Sequence, residues 1–181
     1  MTLETERLIL RPWQESDAAE LYLYAQDERV GPMAGWPAHT SEENSREIIR
    51  TVLSAPETYA VVLKETGKPV GSVGIMFKGN SHCELSDTET EIGYWIGVPY
   101  WGRGLIPEAV DALLNRCFET FNCTAVWCCY YDGNEKSKRV QEKCGFKYQH
   151  TVENVHVLDE IKAEHCTRII REEYYDKERR R

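Results

Sequence analysis

Between Glu89 and Phe121 the hydrophobic period of the chain changes from strand-like to helical, with Trp101-Gly102-Arg103-Gly104 at the change. Glu89 to Val98 is rich in aromatic and β-branched residues and predicts a strand. Val110, Leu113, Leu114, Cys117, Phe118 and Phe121 recur at helical spacing and predict an amphipathic helix. Pro107 and Glu108 suit its first turn, where a missing N–H and a carboxylate are both tolerated. A strand, two glycines and a helix N-terminus let the backbone approach a ligand closely. Unpaired N–H groups then face outward, with the positive end of the helix dipole behind them. Such a turn can cradle phosphate. It is no Walker loop, since G-x-x-x-x-G-K-[ST] is absent. It is no dinucleotide fingerprint either, since Pro107 stands where a third glycine would be. Spacing alone leaves a second reading open, an ordinary glycine-rich βα turn that binds nothing.

The 181 residues suffice for one domain with a full core, and 41% hydrophobic with 29% charged residues describe a soluble globular chain. A net charge of -8 argues against a general nucleic-acid binder. The one dense basic run, Lys177 to Arg181, reads as a solvated tail. No signal peptide and no apolar run of membrane-spanning length is found, so a cytoplasmic protein with no membrane partner is expected. The seven cysteines form no C-x-x-C pair and the five histidines lack metal spacing. Buried reduced thiols and no bound metal are expected.

Taken in order, Leu3 to Arg11 predicts an N-terminal strand stopped by Pro12. Ser16 or Asp17 can cap a helix carrying Leu21, Tyr22, Tyr24 and Ala25. Residues 31–37 form a Gly/Pro loop. A second helix opens at Ser41-Glu42-Glu43 with Ile48, Ile49, Val52 and Leu53 on one side. Tyr59 to Leu63 and Val70 to Phe77 predict a hairpin, followed by a polar loop from Gly79 to Thr88. After the central strand and helix, Thr124 to Tyr131 is a strand. Asn134 to Lys143 is a helix with Asn134 as its N-cap and Gly145 as its left-handed C-terminal residue. Phe146 to Val157 and Lys162 to Glu172 are a final strand pair. No repeat or linker interrupts the chain, so residues 1–181 are expected to form one α/β (α+β) domain, a mixed sheet with helices packed on it.

Four stretches in this order carry a family resemblance: Thr5-Glu6-Arg7-Leu8, Glu91-Ile92-Gly93-Tyr94-Trp95-Ile96, Tyr100 to Gly104 with Glu108-Ala109, and Asn134 to Phe146. Together they resemble the GNAT acetyltransferase superfamily, and most closely the ribosomal-protein N-acetyltransferase branch, which acetylates N-terminal or small amines. The resemblance implies a mostly antiparallel mixed sheet flanked by about four helices, acting as a monomer or homodimer. It implies acetyl-coenzyme A as donor. The pyrophosphate would take main-chain N–H groups from Gly102, Arg103, Gly104, Leu105 and Ile106 beside Trp101. The pantetheine arm would pair like an added strand with Tyr94, Trp95 and Ile96. Asn134 and Ser137 match the family's polar positions beside pantetheine and thiol. Lys136, Lys138, Arg139 and Lys143 are candidates to supply charge to the nucleotide phosphates, although for any single one of them a solvated helix face is the first expectation. Two departures stand out. Ile106 is bulkier than the usual glycine or alanine and is expected to narrow the approach to the phosphates. Gln141 occupies the place of the tyrosine acid found in many relatives.

Acetyl transfer from a thioester needs an uncharged amine, a stabilised oxyanion and a protonated leaving thiolate. A lysine-like amine (pKa ~10.4) is about 0.1% neutral near neutral pH, which costs roughly 4 kcal/mol, whereas an α-amine (pKa ~7.7–8.0) costs only about 1. Glu91 is the candidate general base, directly or through water, against the alternative of a solvent-facing strand carboxylate. Glu89 shares its strand face and is the reserve base and a substrate contact. Ser137 is the candidate acid, and the Ile96 N–H can polarise the thioester carbonyl. Trp36 and Trp13 are candidate walls of an acceptor pocket, with core packing as the alternative. The expected activity is acetyl transfer to a primary amine of a protein N-terminus or small molecule. A non-catalytic coenzyme A-binding sensor is the second reading.

Overall fold

The computed structural model describes residues 1–81 and 83–179. His82 and the last two residues of the basic tail lie outside this range. Chain order begins β1 (Leu3–Glu4), β2 (Leu8–Arg11), α1 (Ala18–Ala25), α2 (Glu42–Ile48), β3 (Thr58–Leu63), β4 (Pro69–Met76) and β5 (Glu89–Ile96). It continues α3 (Leu105–Glu119), β6 (Ala125–Tyr131), α4 (Glu135–Cys144), β7 (Lys147–Val157), β8 (Glu160–Ile170) and α5 (Arg171–Glu178). The strands form one sheet in the order β1-β2-β3-β4-β5-β6-β8-β7. Parallel pairing joins β5 to β6, over Glu89–Glu91 and Ala125–Trp127, and the other registered pairs are antiparallel. β5 continues past that short parallel stretch to Ile96. The contacts divide the chain into two compact units, one of Met1–Gly74 with Tyr94–Ala109, the other of Ile75–Gly93 with Val110 onward.

In the first unit Leu8 faces Leu63 and Leu10 faces Val61 across β2 and β3, and all four are buried. Burial of each such side chain is worth ~1.5–3 kcal/mol. Trp13, Ala18, Leu21, Ala25, Ile49, Ala60 and Val62 form the adjoining core cluster. The N-terminal strand is two strands rather than one. β1 folds back on β2, because Thr5 closes a turn on Leu8 and the side chains of Thr5 and Arg7 are drawn to Glu108. Asp17 precedes α1 without capping it, since its carboxylate binds both terminal nitrogens of Arg11, at 2.7 and 2.8 Å. Ser41 does cap α2 through Asn44 N. A π-helical turn, Ile49–Leu53, then rotates Val52 outward, leaving it 54% exposed instead of on the apolar side.

The second unit is centred on the later turns of α3, where Val110, Leu113, Leu114, Cys117 and Phe118 are fully buried. Phe121 lies beyond the helix. Its N–H and that of Thr120 both turn back to the Arg116 carbonyl, Asn122 takes a left-handed conformation, and the Phe121 ring packs on Phe77. α4 has the expected caps, Asn134 Oδ1 on Ser137 N and Gly145 at φ +93°. The last strand ends two residues early, at Ile170, where α5 begins as a fifth helix. Glu173 accepts the Ile170 N–H, and Tyr174 packs on Phe118 at 5.0 Å between ring centroids. Lys177 belongs to this helix and not to a solvated tail; its Nζ binds Asp111 and the Cys144 carbonyl. β7 lies at one rim of the sheet, with register shifts at Tyr148/His150 and Val152/Val155 and Asn154 at φ +59°.

Candidate active site

The turn that enters α3 belongs to the first unit and is braced at both ends. On the strand side, Tyr24 packs edge-on against Tyr100, their hydroxyls 3.1 Å apart. Burial and that bond push the Tyr24 phenol up to about 12. Gly97 runs so close to the Tyr24 ring that a Cβ there would sit 2.6 Å from it. Trp101 folds back over the end of β5, its indole N–H on the Ile96 carbonyl at 3.0 Å.

On the helix side the brace is Arg7. Its Nε binds Glu108 Oε2 at 2.7 Å, Nη1 the Arg103 carbonyl at 3.0 Å, and Nη2 the Gly104 carbonyl at 3.2 Å. Glu108 Oε1 also accepts from Thr5 Oγ1 and the Arg7 N–H. Burial works against the Glu108 charge, but the hydrogen bonds from Thr5 and Arg7 outweigh it and hold this carboxyl below its ordinary value. In a trans peptide the N–H points away from its carbonyl. With both carbonyls drawn to Arg7, the N–H groups of Gly104 and Leu105 are therefore aimed the other way. The first helical bond of α3 runs from Glu108 N to Gly104 O, so Leu105 and Ile106 keep amides that precede it. Gly102 and Gly104 have φ of +73° and +74°, a conformation that other residues adopt only with strain. Arg103 is exposed, its guanidinium over the Tyr100 ring. The side chains of Leu105 and Ile106 are buried, at 2% and 4% exposure. Ile106 therefore does not narrow the approach: its bulk packs inward while its amide stays at the turn.

The tryptophans of this unit meet around β5. Trp95 stacks on Trp13 and meets Trp36 edge-on, with centroids 6.3 and 5.7 Å apart. Trp13 is a core residue, 8% exposed, with its indole N–H on Ser72 Oγ. Trp36 remains half-buried and also touches His39. Tyr94, Trp95 and Ile96 are half-buried on the strand.

In the second unit Glu91 is no solvent-facing carboxylate. It is 3% exposed and its Oε2 accepts from Ser81 Oγ at 2.6 Å. Glu89 is engaged locally, with Oε2 on Ser86 N at 3.1 Å and Oε1 3.9 Å from Arg168. Asn134 Oδ1 is committed to the α4 cap at 3.1 Å. Gln141, 1% exposed, donates to the Cys129 carbonyl and to Ser137 Oγ and accepts from Thr167 Oγ1. It ties α4 to β6 and β8, which accounts for a glutamine at that position. Lys143 is exposed on α4. Sequence reading passed over one grouping: Cys83, Cys129 and Cys166 bring their sulfurs within 4.8 Å of one another. No helix among the described residues is long and apolar enough to cross a membrane.

Comparison with known proteins gives a consistent answer. The Acetyltransferase (GNAT) domain family matches residues 7–147. Uncharacterized N-acetyltransferase p20 of Bacillus licheniformis is 29% identical over 130 residues, covering 69% of this chain and 70% of its own. A GNAT-family acetyltransferase structure from Bacillus anthracis superposes with a TM-score of 0.80 at 22% identity, over 95% of this chain and 99% of that one. The structure of AAC(6')-Ib with ribostamycin and coenzyme A superposes with a TM-score of 0.72 at 20% identity, over 94% and 97%.

Proposed function

Since this chain belongs to the GNAT acetyltransferase family and is an N-acetyltransferase, we propose that it moves acetyl from acetyl-coenzyme A to a primary amine by direct transfer, both substrates being bound at once. The acceptor is an N-terminal α-amine of a protein, as in the ribosomal-protein branch, or a small-molecule amine. The observation that carries this reading is the braced turn. Arg7 holds two carbonyls on one side, so that consecutive amides present themselves on the other at a helix N-terminus. That is the donor set a diphosphate takes, and both glycines have the φ it requires.

On this reading the amides of Gly102, Arg103, Gly104, Leu105 and Ile106 hold the pyrophosphate, with Trp101 fixing the start of the turn. The backbone of Tyr94, Trp95 and Ile96 takes the pantetheine amides, and Asn134 and Lys143 contribute polar and charged contacts. Bound acetyl-coenzyme A supplies an acetyl thioester whose thiol, with a pKa near that of cysteine (~8.5), is a fair leaving group. Glu91 accepts the proton of the acceptor ammonium, its Oε2 held by Ser81. The Ile96 N–H polarises the carbonyl. Ser137 Oγ gives a proton to the departing sulfur. Since that Oγ accepts from Gln141 Nε2 at 3.2 Å, its own proton is directed elsewhere, and Gln141 is its positioning residue. Trp36 is proposed as a wall for the acceptor. Glu89, with an ion-pair partner and a backbone amide already on its carboxylate, is the weaker of the two substrate contacts.

The test is release of free thiol from acetyl-coenzyme A against peptide N-termini, polyamines and aminoglycosides, with mass spectrometry of the product. N-acetylation of at least one amine class with saturable kinetics is expected. Coenzyme A binding without turnover on any amine would instead indicate a sensor.

A further inference from the structure

Three thiols in the second unit take no part in the chemistry above. Cys129 on β6 and Cys166 on β8 are register partners. Opposite residues of an antiparallel pair share a face with Cβ atoms ~4.5–5.5 Å apart. Cys83 reaches them from the loop between β4 and β5, its Sγ 3.1 Å from that of Cys129. The loop is itself tied down, with the Cys83 N–H on Ser81 Oγ at 2.9 Å and the same hydroxyl on Glu91. All three cysteines are free thiols.

We propose that Cys83, Cys129 and Cys166 form a binding site for a thiophilic d10 cation, Zn2+ being the representative, with an open fourth position. Tetrahedral zinc with Zn–S bonds of ~2.3 Å separates its sulfurs by about 3.8 Å. Here the Cys83 and Cys129 sulfurs are 3.1 Å apart and all three lie within 4.8 Å of one another, close enough for one ion to reach the set. Two ligands come from neighbouring strands whose register fixes their spacing, and the third from the loop between β4 and β5, held by the Ser81 hydroxyl. Thiols are weak hydrogen-bond partners, so a trio that only bonds to itself gains little. Thiolate sulfur, in contrast, selects zinc-like and Cu(I)-like ions over harder ones. Cys83 and Cys129 are half-buried, which leaves a path for the ion. Occupancy would clamp the loop of Cys83 to β6 and β8. The spacing 83/129/166 carries no motif, because sheet register and not sequence proximity assembles the set.

Reduced protein titrated with Cd2+ alone should develop a thiolate-to-metal charge-transfer absorption that saturates at one equivalent. X-ray absorption of the Zn2+ form should show three sulfur neighbours at about 2.3 Å. Cys83→Ser, on the loop, should remove most of the band, as should Cys129→Ser and Cys166→Ser. Cys128→Ala, on the opposite face of β6, should retain it. A shell dominated by nitrogen and oxygen, a band that survives Cys83→Ser, or no band in the unsubstituted protein would each overturn the proposal. So would a Cys83–Cys129 disulfide that forms on mild oxidation while the reduced protein takes up no metal. None of these readings requires acetyltransferase activity, so the site stands or falls apart from the assigned reaction.

Discussion

Replacing Arg7 by lysine isolates the geometric part of the brace from its charge. The guanidinium makes three bonds in a planar fork, and a lysine ammonium has no geometry that serves all three. Lysine keeps the charge opposite Glu108, and at a side chain 45% exposed that ion pair is in any case worth only ~0.2–1 kcal/mol. The two bonds to the Arg103 and Gly104 carbonyls are what is lost, at ~0.5–1 kcal/mol each. The turn therefore loses about 1–2 kcal/mol of order, a factor of about 5–30 in an equilibrium constant. If that order is what presents the amides to a diphosphate, the loss falls on ligands that carry one. Calorimetry on Arg7→Lys should show coenzyme A binding about 5–30-fold weaker, while pantetheine, which lacks the diphosphate, binds as it does to the unsubstituted protein. Thermal unfolding should shift by about 2–4 °C for each kcal/mol lost. Equal losses for both ligands, or none for either, would refute the reasoning.

Glu91→Gln preserves the shape and an acceptor for Ser81, so kcat should collapse while coenzyme A affinity holds; an unchanged kcat on a competent amine would remove Glu91 as base. Gly71→Ala should destabilise by about 2 kcal/mol or more, read by chemical denaturation, because the new Cβ would lie 2.4 Å from the Trp95 carbonyl oxygen. Burial pushes the His39 imidazole below its ordinary value. The folded state then binds fewer protons than the unfolded one, and stability falls as pH drops through ~6.5. His39→Gln should flatten that slope between pH 7 and 5. Glu108 titrates in the opposite sense to a raised group: its depressed value lends stability above ~4.3 that is lost as pH falls further. Thr5→Ala should weaken that acid dependence in the same denaturation series.

Where local chemistry decides structure, the sequence was readable. Asn134 and Gly145 mark the ends of α4, and Gly102 and Gly104 mark the turn, because capping and positive φ depend on one or two residues. Where partners are distant it was not. The break between β1 and β2 depends on Glu108, about a hundred positions from Thr5 and Arg7. α5 looks like a charge run because, of its described side chains, Tyr174 alone is buried. For the site, the cradle was legible and its brace was not, although Thr5-Glu6-Arg7 was already part of the resemblance. Glu91 could be named, but its burial beneath Ser81 follows from a loop whose composition says nothing of where it lies.

The two rims of the sheet are unlike its middle. β1 is a two-residue strand, and β7, though long, slips register twice and turns through a left-handed Asn154. Neither offers a long, regular row of open amides and carbonyls on which a foreign chain could align. Folded copies crowded together in storage thereby meet a short or broken register at either rim, which disfavours the edge-to-edge stacking that seeds fibrils.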